Sequence, residues 1–181
     1  ERVAVDRHAG GREQLPGPID LLQANVAQLF EHQRERLQLL LVCGNLDAPI
    51  AINHQHASPA DLVGHLNLIH PDRIQVIGAP EINWATQQHA VRVSRHMDEI
   101  IASHPPAVIV ADGCPIPATV REACERSSTA LFSTPQAAAT VIDLLRIWLS
   151  RQLAETTELH AVMMDVLGMG VLITGDSGVG K

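Results

Sequence analysis

The sequence predicts an α/β fold: an N-terminal domain with a mainly parallel sheet flanked by helices, followed by the first strands of a second domain. Three observations carry this expectation. The short apolar runs Arg73–Gly78, Ala107–Ala111 and Ala130–Phe132 have the length and composition of strands covered on both faces. Between them lie longer segments whose apolar residues recur at helical spacing, and such alternation favours right-handed crossovers onto one parallel sheet. Near Glu155 the character changes to two apolar runs around a Gly-x-Gly turn, which opens the second domain.

Residues 1–16, with Gly10, Gly11 and Pro16, read as a flexible lead. The α/β domain is expected over 17–154. From Ile19, the positions Leu21, Leu22, Val26, Leu29 and Phe30 predict an amphipathic helix that closes in the charged run Glu31–Arg36. Leu37–Val42, stopped by Gly44 and Asn45, reads as a buried strand leaving into a turn. Residues 46–72 show no regular pattern. After the strand at Arg73–Gly78, Pro80 opens one helix carrying Ile82, Val91, Val93, Met97, Ile100 and Ile101, which His104-Pro-Pro106 ends. Ala107–Ala111 is the clearest buried strand; Asp112-Gly113 and two prolines separate it from a helix near Ala118–Arg126. Behind Ala130–Phe132, Ser133 or Thr134 is expected to cap a helix with Pro135 in its first turn. Its buried stripe is Val141, Leu144, Leu145, Trp148 and Leu149. Leu159–Val166 and Gly170–Thr174 read as two strands of the second domain, over 155–181.

Composition limits the function classes. The chain has 181 residues, 46 % of them apolar, and with two Trp, two Phe and no Tyr its core must be packed from Leu, Ile, Val and Ala. A net charge of −7, spread along the chain, argues against nucleic acid as a partner. No run approaches the roughly 18 apolar residues of a membrane span, and Glu1–Pro18 is too polar for a signal peptide, so a cytoplasmic protein without membrane contact is expected. Cys43, Cys114 and Cys124 are odd in number and lack C-x-x-C spacing, and so read as free thiols. His54 and His56 could share a strand face and chelate, but they lie between Pro49 and Pro59 without nearby Cys or paired carboxylates, so solvated loop histidines are the better reading.

The chemistry concentrates at the end of the sequence. Gly175, Asp176, Ser177, Gly178, Val179, Gly180 and Lys181 match G-x-x-x-x-G-K, directly behind the apolar strand Val171–Thr174 as a P-loop requires. Glycines let the backbone bend so that successive N–H groups aim at phosphate oxygens, and Lys181, the sole lysine, adds a mobile positive charge. The Asp176 carboxylate would be repelled by phosphate unless turned outward or paired. The competing reading is a Gly-rich hairpin without ligand. The sequence ends at Lys181, before the Ser or Thr hydroxyl that holds magnesium in a complete motif. The expectation is therefore that this polypeptide binds ATP poorly and does not transfer phosphate by itself, and no metal ligand is assigned.

From His160-Ala-Val-Met-Met-Asp through Gly168-Met-Gly170 and Leu172-Ile-Thr-Gly-Asp-Ser-Gly178 to Lys181, the sequence resembles the start of the catalytic domain of the HPr kinase/phosphorylase family. Arg73–Gly78 with Glu81, the Pro106–Val110 strand, and Phe132-Ser-Thr134 before a long helix are similar to that family's N-terminal domain, so the resemblance covers roughly residues 25 to 181. It departs at Ala161, where the family has Gly, and at Ser58-Pro59-Ala60, where it has Arg-Pro-Gly. The resemblance implies an enzyme that uses ATP or pyrophosphate with Mg2+ to phosphorylate a serine of the phosphocarrier protein HPr, and that reverses the reaction by phosphorolysis. It also implies a hexamer, a catalytic domain related to phosphoenolpyruvate carboxykinase, and an N-terminal domain similar to that of Mur ligases. By the same resemblance His160 stands beside the phosphoryl-transfer centre, where an imidazole can orient an acidic base or tune its pKa. Asp165 reads as structural. The alternatives are a small-molecule kinase with a P-loop, and a non-catalytic regulatory module that retains the loop.

Overall fold

The computed structural model describes residues 24–52, 58–154 and 161–174. The predicted lead, the His54–His56 pair, His160 and the whole of Gly175–Lys181 lie outside these described residues.

Strand β1 (Ala24–Asn25) leads into helix α1 (Val26–Leu37). Asn25 Oδ1 accepts from the Gln28 N–H at 2.8 Å and Gln28 Oε1 accepts from the Asn25 N–H at 3.1 Å, a reciprocal capping box. That box starts the helix at Val26: Asn25 is extended, and Ala24 pairs with Ile50 of β3 (Pro49–Ile50), while the predicted helical positions Ile19, Leu21 and Leu22 lie outside the described residues. The charged run Glu31–Arg36 continues the helix to Leu37, and Gln38 ends it in the left-handed region at φ 50°.

β2 (Leu40–Cys43) corrects the expectation of a buried strand. It lies at the sheet edge, antiparallel to its neighbour, with Leu40 67 % exposed. The span 46–72, which showed no pattern, holds β3, a 3-10 turn at Pro59–Leu62 and β4 (Val63–His65); each is too short to display a period. β5 (Ile74–Ile77) follows, and then two helices stand where one was expected: α2 (Ala79–Thr86) and α3 (Ala90–Ile101), separated at Gln87–His89. The chain continues through β6 (Ala107–Val110), α4 (Ala118–Ser127), β7 (Ala130–Ser133) and α5 (Ala138–Gln152). Neither Ser133 nor Thr134 caps α5. Its N-cap is Ala137, and the buried Thr134 hydroxyl instead donates to the Leu37 carbonyl.

The sheet order is β2-β7-β6-β5-β4, with β4 to β7 mutually parallel and β2 antiparallel to β7. This is the predicted α/β class with a mainly parallel sheet flanked by helices. The central strands are buried on both faces, and side-chain alternation sorts their residues into two cores. Ala107, Ile109, Phe132, Ile74 and Val76 face α1 and α5, joining Leu29, Val141, Leu145 and Leu149. Val108, Val110, Leu131 and Ile77 face α3 and α4, joining Met97, Ile101, Val120 and Cys124. On the first side Phe30 stacks on Phe132 with ring centroids 5.4 Å apart, and the Trp148 indole N–H donates to His32 Nδ1 at 3.3 Å. Gln75 is a buried polar residue in β5. Its side chain accepts from the Asn67 N–H and donates to the His70 carbonyl, satisfying the β4–β5 loop from inside.

The described residues 24–154 belong to one compact unit, and the hairpin at 161–174 belongs to another.

Candidate phosphate-binding site

The hairpin consists of β8 (Ala161–Val166) and β9 (Met169–Thr174), antiparallel and in register from Val166–Met169 at the turn to Ala161–Thr174 at the open end. Its two-residue turn takes positive φ at both positions, 56° at Leu167 and 80° at Gly168. This matches the right-handed twist of the strands, and glycine meets the second requirement without strain. Asp165 Oδ1 accepts from the Gly168 N–H at 2.8 Å, so Asp165 serves the turn, in agreement with its structural reading.

Two of the predicted site residues are sequence neighbours of the open end of this ladder. His160 precedes Ala161 and Gly175 follows Thr174, and those two described residues are cross-strand partners. β9 is thus the strand immediately before the G-x-x-x-x-G-K sequence.

The structure also gives two carboxylates at the carboxyl ends of the parallel strands, Asp112 and Glu81, roles that sequence reasoning did not assign. Asp112, just past β6, accepts from the Ala79 N–H at 2.7 Å through Oδ2 and from the Ala138 N–H at 2.9 Å through Oδ1. One side chain therefore occupies the positive N-termini of both α2 and α5. Glu81 Oε2 accepts from the Gly78 N–H at 2.8 Å, and its other oxygen lies 3.4 Å from His65 Nδ1. Gly78 is hemmed in: a Cβ there would stand 2.8 Å from Asp112 Oδ2. The Gly78, Ala79 and Ala138 N–H groups are thus already bonded to carboxylates and not free for a phosphate. The partners of Asp112 lie 33 and 26 residues away along the chain, so only its place after a strand in an Asp-Gly turn was legible.

Between α2, α3 and α4 lies an apolar cavity of about 20 Å³, lined by Ile77, Ile82, Trp84, Met97 and Val120, with room for no more than a water. Among the described residues no three or more His, Cys, Asp or Glu gather as a metal-binding group, and no helix is long and apolar enough to cross a membrane. The three cysteines are free thiols, as expected. Burial is the main cause of a raised pKa at each, and at Cys124, which is fully buried, the value is pushed up to about 12.

An α/β unit followed by a hairpin strand that enters G-x-x-x-x-G-K defines a two-part protein with a candidate phosphate-binding loop. Comparison with known proteins specifies the family. Residues 24–149 match the model of the HPr serine kinase N terminus, and residues 151–181 match that of the HPr serine kinase C-terminal domain. A curated HPr kinase/phosphorylase from Azoarcus sp. (strain BH72) is 55 % identical over 159 residues, covering 88 % of this chain and 51 % of the relative. The HPr kinase/phosphorylase of Aromatoleum aromaticum is 54 % identical with the same coverage, and that of Paraburkholderia xenovorans is 47 % identical over 90 % of this chain and 52 % of its own length. The chain belongs to the HPr serine kinase family, and it spans about half the length of these curated relatives.

Proposed function

We propose that the whole protein is an HPr serine kinase/phosphorylase: it phosphorylates a serine of HPr with ATP or pyrophosphate and removes the phosphate by phosphorolysis. The observation that carries this reading is a strand, β9, leading directly into G-x-x-x-x-G-K within a chain whose two parts both match HPr serine kinase models. We also assign 17–154 as the N-terminal domain, 1–16 as a lead and 155–181 as the beginning of the catalytic domain.

In this reading the backbone N–H groups of Gly175, Asp176, Ser177, Gly178, Val179 and Gly180 cradle phosphate oxygens, and the Lys181 ammonium neutralises charge that grows during transfer. His160 orients or tunes an acidic base. The hairpin register supports pairing His160 with the loop. Ala161 and Thr174, which adjoin His160 and Gly175 in the sequence, are cross-strand partners. Mg2+ bound with the nucleotide would screen the phosphate charges. No residue of this chain is assigned as its ligand. A cytoplasmic hexamer acting on HPr, without membrane or nucleic-acid partners, completes the proposal.

The test uses a protein spanning the full length of its relatives, incubated with labelled ATP and HPr. Label should appear on a serine of HPr, and Lys181→Ala should reduce the rate by about 100-fold or more. Label on a sugar or a nucleotide, with HPr unmodified, would overturn the assignment.

A further inference from the structure

The core between the sheet and α3 and α4 contains Cys124, with Cys43 and Cys114 half-buried against it. The phosphate-site reading uses none of them. Cys43 ends β2, where the ladder with β7 slips between Leu41 and Cys43. Such a bulge breaks the strict alternation of faces and re-aims a side chain; here the successive residues Val42 and Cys43 both pack on the α3–α4 core. Cys43 stands opposite Leu131, and the next residue, Gly44, is so close to the partner backbone that a Cβ there would lie 2.1 Å from the Thr129 carbonyl oxygen. Thr129 in turn donates its N–H to the Cys124 carbonyl at 3.0 Å. This succession of backbone contacts ties the end of β2, just past Cys43, to the last turn of α4, which carries Cys124, and both residues pack in the same core. Their nearness is also electrostatic, since Cys43 is among the groups that raise the pKa of Cys124.

We propose that Cys43 and Cys124 form a reversible intramolecular disulfide, which makes the junction of β2 and α4 a thiol-oxidation site. The oxidant is a low-molecular-weight disulfide. The Cys43 thiolate, the more accessible of the two, attacks one sulfur of the oxidant and expels a thiolate, leaving a mixed disulfide on Cys43. Cys124 then gives up its proton, attacks the Cys43 sulfur and expels the second thiolate. Two protein thiols lose two electrons and two protons, and the oxidant takes up both and departs as two thiols. Burial raises both pKa values, so the reaction is slow near neutrality and accelerates as pH rises.

The intact chain, without denaturant and at mildly alkaline pH, is incubated with oxidised glutathione, quenched in acid, alkylated, digested and analysed by mass spectrometry. The expected product is a peptide pair joining Cys43 to Cys124, lighter by two hydrogens than the reduced peptides together, with Cys114 alkylated. Cys114→Ser should give the same product. In Cys124→Ser the glutathione adduct on Cys43 should persist, because nothing resolves it. A lasting glutathione adduct on Cys43 of the parent chain, a link to Cys114, or recovery of all three cysteines alkylated would each overturn the proposal.

Discussion

Asp112 holds a conformation that most residues avoid, with φ at 58°. Aspartate tolerates this region better than most side chains, and here the conformation lets its two oxygens reach the Ala79 and Ala138 N–H groups. Asp112→Ala removes both caps and leaves an alanine in the left-handed region; a loss of about 2–4 kcal/mol in urea unfolding is expected. Asp112→Asn keeps one acceptor and the favoured conformation, and should lose about half as much. Cys124 provides a pH test. Its folded pKa, about 12, lies above the unfolded thiol value of about 8.5, so the folded state retains a proton that the unfolded state releases. Stability from this group is complete below about pH 8.5 and falls as pH rises toward 12, with a slope of about 1.4 kcal/mol per pH unit. The chain has no Tyr, which leaves the thiols as the main groups titrating there. Urea unfolding between pH 9 and 10.5 under reducing conditions should show a fall at least that steep, because the pKa values of Cys43 and Cys114 are raised as well, and Cys124→Ala should make the fall shallower by about 1.4 kcal/mol per pH unit.

At the scale of elements, what the sequence made legible depended on length and burial. β5, β6, β7, α4 and α5 were read to within a few residues because each is an uninterrupted apolar or periodic segment facing a core. β2 was found but given the wrong environment: Leu40 and Leu41 are as apolar as any core pair, and only the sheet order shows them at an edge. The break between α2 and α3 escaped notice because the apolar period runs across Gln87–His89 with no Gly or Pro to mark it. Of the candidate site, the motif and its preceding strand were legible, whereas the two-ended cap at Asp112 was not, because its partners are distant in sequence. Gly44 is what allows β2 to close against the α4–β7 turn. It combines φ at 93° with backbone atoms of Thr129 and Ala130 where a Cβ would sit. Gly44→Ala must displace that backbone and should cost more than about 3 kcal/mol. Gly113 also has positive φ, at 63°, but its nearest obstacle is 3.9 Å away. Gly113→Ala should cost only the left-handed penalty, about 1 kcal/mol, and denaturation midpoints of the two variants would show the difference.

At the scale of the molecule, the unit from Ile19 to Ala154 contains both cores and every strand of the five-stranded sheet. A polypeptide of residues 19–154 should therefore fold alone, with a single cooperative urea transition followed identically by circular dichroism and tryptophan fluorescence. Non-coincident transitions would show that the unit needs the rest of the chain. The sheet order has a further consequence during synthesis. β4 to β7 each pair with a strand close in the sequence, but β2 waits for β7, which emerges roughly ninety residues later. At about 5–20 residues per second, the ribosome presents the run Leu39-Leu40-Leu41-Val42 without its partner for roughly 5–20 s. A strand that is peripheral in the finished sheet is thus the nascent chain's longest-standing adhesive surface, and the interval in which a chaperone would matter most falls before Ser133 is made.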